Sequence, residues 1–78
     1  MENNIVWIFY YNPCVYESSP YAESIHRTRK GAEMAMEFHK NEKYKEHLEM
    51  LKYTGETEET WKFGEHESWF VDSREILD

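Results

Sequence analysis

The chain has few of the residues that form covalent links or unusual backbone turns: its 78 residues include one cysteine, three glycines and two prolines. A single thiol, Cys14, cannot form a disulfide within the chain, so we expect a reducing, cytoplasmic environment. The three dispersed glycines form no phosphate-binding loop, no nucleophile elbow and no Walker motif. The sequence therefore lacks common signatures of nucleotide hydrolysis and serine-type catalysis.

Long apolar runs are also missing. The longest spans residues 5–11, far short of the roughly 20 residues that a membrane helix needs. No basic segment followed by an apolar one, as in a secretion signal, precedes this run. We therefore expect no membrane association.

Basic residues are outnumbered, with nine Lys and Arg against 16 Asp and Glu and a formal net charge of -7. This charge repels nucleic-acid backbones and anionic lipids, so direct nucleic-acid binding is not expected. The imbalance lies near the C-terminus: residues 1–53 hold eight acidic and seven basic residues, whereas residues 54–78 hold eight acidic and two basic ones.

Aromatic residues are abundant, at 17% of the chain. A chain this short has room for one domain, and each aromatic side chain can bury about 150 to 250 Å². We therefore predict a single folded domain over residues 1–78.

Local patterns predict four elements in this domain. Residues 5–11 are all β-branched or aromatic, which is typical of a central strand. Residues 21–28 alternate and predict a second strand, antiparallel to the first because the loop between them is short. Residues 29–53 have helical composition, and residues 68–77 predict a third strand. The fold class is α+β, a small antiparallel sheet of about three strands in the order β-β-α-α-β, with helices packed on one face.

The helical segment is expected to break. It carries two apolar stripes that point roughly 120° apart: Ala32, Ala35, Met36 and His39 form the first, and Tyr44, His47, Leu48 and Leu51 form the second. One straight helix cannot bury both stripes against one small sheet, which predicts a bend near Asn41 and Glu42. Thr28 is the predicted N-cap, and Gly55 is the predicted C-terminal stop.

Catalytic and metal-binding patterns are weak. His39, Glu42 and Glu46 have spacings that a helix could bring together, but no HExxH or paired CxxC motif is present. Cys14 has no histidine near it in sequence to activate the thiol. We expect a protein that is not an enzyme and that binds no metal or cofactor.

The acidic C-terminal third is the predicted partner-binding region. Carboxylates interleaved with aromatic side chains can occupy the positive channel of an enzyme that handles nucleic acids. The candidate residues are Glu56, Glu58, Glu59, Trp61, Phe63, Glu65, Glu67 and Asp72. The open alternative is that these acids only keep a small aromatic protein in solution.

Two segments, RKGAEMAMEFHK (residues 29–40) and FGEHESWFVDSREIL (residues 63–77), together with the N-terminal aromatic strand, resemble small uncharacterised α+β proteins encoded by tailed phages and prophages. The resemblance implies a strand hairpin, a helix with an Ala-rich face and a closing aromatic strand. It transfers no catalytic residue. Since many small phage proteins inhibit host defence or host enzymes, the resemblance favours an inhibitor.

The leading hypothesis is a non-enzymatic protein-binding module, an acidic inhibitor of a host defence or nucleic-acid-processing complex of the anti-CRISPR or anti-restriction type. Its partner would be a host protein or protein complex in the host cytoplasm. A homodimer is a further possibility, because an aromatic edge strand can pair with its copy. Two alternatives stay open: a pocket protein that sequesters a nucleotide or similar small ligand, and a small metal- or thiol-dependent enzyme.

Overall fold

A computed structural model describes residues 4–76. Its elements are strand β1 (Ile5–Asn12), strand β2 (Tyr21–His26), helix α1 (Arg29–Thr54) and strand β3 (Ser68–Glu75). The α+β class is confirmed. The predicted end of the third strand, at residue 77, lies outside the described residues.

The sheet has the order β2-β1-β3, and both pairings are antiparallel. The run of β-branched and aromatic residues therefore forms the central strand, as predicted. Its register against β3 places Phe9 opposite Val71, Tyr10 opposite Phe70 and Tyr11 opposite Trp69. Successive pairs alternate between the two sheet faces, and each pair places an apolar side chain of β1 beside one of β3.

The alternation predicted for the second strand is interrupted. Phe9 pairs with Ser24 but Tyr10 pairs with Ala22, so the register shifts between these positions and Glu23 has no direct partner on β1. Such a β-bulge changes which face the following side chains occupy. Strict two-residue periodicity therefore does not hold along β2, which also ends at His26 rather than at residue 28.

Helix α1 is continuous over 26 residues, so the predicted break near Asn41 and Glu42 and the second helix are wrong. The prediction assumed that the sheet alone had to cover both apolar stripes. Instead, α1 is about 39 Å long, whereas an eight-residue strand spans about 26 Å, so the helix extends beyond the sheet. The chain after α1 folds back over part of the second stripe, where Phe63 contacts the rings of Tyr44 and His47, while Tyr44 and Leu48 stay 41% and 43% exposed. The molecule is elongated, 56 × 24 × 14 Å.

Both predicted helix ends are confirmed. Thr28 is the N-cap, and its hydroxyl accepts a hydrogen bond from the Gly31 N–H at 3.0 Å. Gly55 ends the helix with φ +77°, and its N–H donates to the Leu51 carbonyl at 2.8 Å. A left-handed residue at this position satisfies a terminal carbonyl that would otherwise lack a partner.

The two faces of the sheet differ. Helix α1 covers the face that carries Phe9 and Tyr11, and both of these rings contact the His39 ring, at centroid distances of 5.3 and 4.5 Å. On the other face, Tyr10 stacks on Phe70 at 5.0 Å. Within residues 4–76 no helix or second sheet lies over this open face, and Ile25 on it is 65% exposed.

Candidate binding site at the α1–β3 connection

Residues 55–67, here called the connection, run from the end of α1 back to the start of β3. Phe63 holds the connection against the helix: its ring lies 5.1 Å from that of Tyr44, 5.5 Å from that of His47 and 5.4 Å from that of Trp69. Phe63 is half-buried. Phe63 is one of the predicted partner-binding residues. Its position shows that it anchors the connection to the helix and is only partly available to a partner.

The backbone of the connection is also ordered by hydrogen bonds. The N–H groups of Thr60 and Trp61 both donate to the Thr57 carbonyl at 3.0 Å, which forms a tight turn. At the other end, the Val15 N–H donates to the His66 carbonyl at 2.8 Å and joins the connection to the β1–β2 loop. The acidic side chains of the connection are thus carried on a fixed frame.

A side-chain hydrogen bond fixes Glu67, the last residue of the connection. The Tyr11 hydroxyl donates to the Glu67 carboxylate across 56 residues of sequence. Burial raises the pKa of Tyr11 above its ordinary value, and the hydrogen bond to Glu67 and the negative charge of Glu67 raise it further. Glu67 is therefore a structural acceptor as well as a surface acid.

His47 lies under the connection and has an unusual environment. Its side chain is only 9% exposed, and its Nε2 is shielded from solvent and forms no hydrogen bond with any described residue. The nearest charged atom is Oε2 of Glu58, at 3.4 Å, but the pair does not have hydrogen-bond geometry. A buried polar atom without a partner destabilises a fold by roughly 1 to 3 kcal/mol, which makes this position a candidate for ligand contact.

A cleft of about 410 Å³ separates the second half of α1 from the connection. A smaller cleft of about 210 Å³ adjoins it, and both are lined by His47, Met50 and Glu67. The remaining walls of the larger cleft come from the connection: Thr60, Trp61, Lys62, Gly64, Glu65 and His66. Trp61 keeps 49% of its surface exposed, so an aromatic ring and carboxylates face the same space.

The other predicted acids separate into two groups. Four of them are exposed along the connection: Glu56, Glu58, Glu59 and Glu65. Asp72 lies apart, opposite Ile8 on the open sheet face and about 13 Å along β3 from its start. The structure therefore brings together the acids of the connection but not Asp72.

Sequence reasoning assigned His47 only to an apolar helix stripe and gave no role to Met50 or His66. A signal was present, because the predicted helical segment, residues 29–53, is longer than any of the predicted strands. An apolar stripe on a part of a helix that extends beyond its sheet can pack only against another segment of chain. The pairing of His47 with Glu58 in particular follows from tertiary structure and has no signature in sequence.

The helical trio suggested for a metal does not assemble. His39 accepts a hydrogen bond at Nδ1 from the Trp69 indole N–H at 3.0 Å, and Glu42 pairs with Lys45 at 3.4 Å. In residues 4–76 no group of three or more His, Cys, Asp or Glu residues is close enough to hold a metal ion. The Cys14 thiol is half-buried, and it donates to the Glu17 carboxylate at 3.7 Å.

Across the described part of the chain, no helix has both the length and the apolar character needed to cross a membrane. Comparisons of the chain with models of protein families, with curated proteins and with solved structures give no match.

Proposed function

We propose that this protein is a non-enzymatic binding module that attaches to a basic surface of another macromolecule through the acidic connection. The observation that carries the proposal is the placement of four exposed carboxylates, Glu56, Glu58, Glu59 and Glu65, on a segment held by Phe63 and by the Tyr11–Glu67 hydrogen bond. Charges on a fixed frame lose less conformational entropy on binding than charges on a loose tail. Their attraction to a basic surface also accelerates association.

The partner that fits this charge best is a host protein or complex with a positive nucleic-acid channel, in which the carboxylates would stand where phosphates normally lie. In biological terms, the protein would be an anti-CRISPR or anti-restriction inhibitor that acts in the host cytoplasm. It draws on the charge distribution and on the resemblance to phage proteins.

Affinity capture with two matched charge variants tests the proposal. Glu56, Glu59 and Glu65 are exposed and their side chains pair with no described residue, and the same is true of Glu23, Glu37 and Glu49 elsewhere on the surface. We expect the triple Glu→Gln variant in the connection to lose a captured nucleic-acid-processing partner, while the triple variant elsewhere, with the same net charge, retains it. Equal capture by both variants, or capture that does not weaken from low to high salt, contradicts the proposal.

Sequestration of a nucleotide is a weaker proposal for the same cleft. Glu65 and Glu67 line the cleft together with a single Lys62, and such a wall repels phosphate groups. The carboxylates therefore favour a cationic occupant over a nucleotide.

A further inference from the structure

We propose that the cleft between the second half of α1 and the connection binds a guanidinium group, supplied by an arginine side chain of the partner. This inference deepens the proposed function and depends on it. It names one specific contact in what would otherwise be a general attraction between opposite charges.

The arrangement of His47 and Glu58 is the first support. Nε2 of His47 and Oε2 of Glu58 lie 3.4 Å apart with no hydrogen bond between them. When the imidazole carries its proton on Nδ1, both of these atoms are hydrogen-bond acceptors, and the pair then lacks a donor. A guanidinium carries five N–H donors in one plane and no acceptor, so neighbouring N–H groups can donate to both atoms.

Access to the buried nitrogen depends on Glu58. The Glu58 side chain is 48% exposed and belongs to the turn that begins at Thr57, so it can rotate without disturbing α1 or the sheet. His47 lines both clefts, so the proposal requires this rotation to open Nε2 of His47 toward them and to bring the Glu58 carboxylate to an entering cation.

Trp61 supplies the second support. The other two tryptophans each have a cation over the ring, Arg29 over Trp7 at 5.8 Å and Lys40 over Trp69 at 5.5 Å. No described cation lies over Trp61, although its ring is half-exposed at the cleft wall. A planar guanidinium stacks on such a ring more readily than a compact ammonium does.

The carboxylates of the cleft set the charge of the occupant. Glu65 and Glu67 line the same cavity, and the Tyr11 hydroxyl donates to Oε1 of Glu67. Among the described residues that line this cleft, Lys62 is the one Lys or Arg. Negative charge, an exposed indole and the unbonded pair of His47 and Glu58 together favour a cation that is flat and rich in N–H groups.

The test is a titration of the whole protein with N-acetyl-arginine amide, followed by nuclear magnetic resonance at the indole N–H signals and the histidine rings. We expect saturable shifts at Trp61 and His47 with a dissociation constant of about 1 to 10 mM, as befits a single side-chain contact. The matched probe is N-acetyl-citrulline amide, which has the same shape but no charge. It should bind about tenfold more weakly or worse.

Two variants and two controls locate the site. Trp61→Ala and Glu58→Gln should each weaken binding about fivefold or more, because each removes one contact to the cation. Tyr53→Ala, which removes an aromatic side chain that is 93% exposed, and Glu23→Gln, which removes an exposed carboxylate outside the connection, should leave binding unchanged. No saturation, equal binding of citrulline, or unchanged binding by both Trp61→Ala and Glu58→Gln overturns the inference.

The charge-variant capture experiment separates the two proposals. If arginine does not bind but capture still depends on the acids of the connection, the arginine site is wrong and the acidic binding surface remains. If capture is also independent of those acids, both proposals are wrong.

Discussion

The two faces of the sheet have similar side chains and very different environments. On the face under α1, Phe9 is 2% exposed and Tyr11 is buried, whereas on the open face Phe70 is 39% exposed and Tyr10 is half-buried. The central strand supplies aromatic rings to both faces by simple alternation. For these aromatic residues burial therefore follows the position of the helix, and residue type alone does not reveal it. Ile8 is an exception to this pattern, since it lies on the open face and is only 9% exposed.

The largest effect that this comparison predicts is on stability. Phe9→Ala should lower the free energy of unfolding by about 3 to 5 kcal/mol, because it leaves a cavity in the core next to His39. Phe70→Ala should cost only about 1 kcal/mol, since it mainly removes the stacking contact with Tyr10. Urea denaturation of the two variants measures both values.

Equal losses in the two variants would mean that something covers the open face in solution. A second copy of the chain is one possible cover, and a homodimer stays a prediction. Pairing of edge strands is a second way to form a homodimer. The aromatic run of β1 lies in the centre of the sheet and is not available for such pairing, whereas β3, with Trp69 and Phe70, is an edge strand. Light scattering over a range of concentrations would detect this association.

A smaller effect on stability, specific to the covered face, comes from Tyr11 and depends on pH. Tyr11→Phe removes the hydrogen bond to Glu67 and should cost about 1 to 2 kcal/mol at pH 7. Because the pKa of Tyr11 is raised in the folded protein, the neutral phenol stabilises the fold fully below the unfolded pKa of about 10. That contribution is lost as the pH rises above this value.

The measurement is urea denaturation at several pH values from 7 to 11. The difference between the wild type and Tyr11→Phe should shrink at the alkaline end. Tyr53→Phe is the control, because this side chain is 93% exposed and its variant should follow the wild type at every pH. A constant difference between the wild type and Tyr11→Phe would contradict the assignment.

Local sequence predicted the features that local physics determines. The run of residues 5–11 identified the central strand, and Thr28 and Gly55 identified the helix ends, because caps depend on one or two residues. The predicted break near Asn41 failed because the second helix stripe does not need the sheet: Phe63, in a segment with no regular structure, packs on part of it, and Leu48 stays 43% exposed. For the same reason the sequence did not distinguish Phe63, which anchors the connection, from Trp61, which lines its cleft with half its surface exposed.

The smallest predicted effect compares the two glycines of the connection, Gly55 at its start and Gly64 three residues before its end. Both have positive φ, +77° at Gly55 and +74° at Gly64, so an alanine at either position should cost about 1 kcal/mol of backbone strain. A Cβ at Gly64 would also lie 3.3 Å from the Trp69 ring, whereas a Cβ at Gly55 would meet no atom within 4 Å. Gly64→Ala should therefore be the more destabilising variant in thermal unfolding, by a few tenths of a kcal/mol or more. Equal destabilisation would show that Trp69 can shift, and that the connection is packed less tightly than the face under the helix.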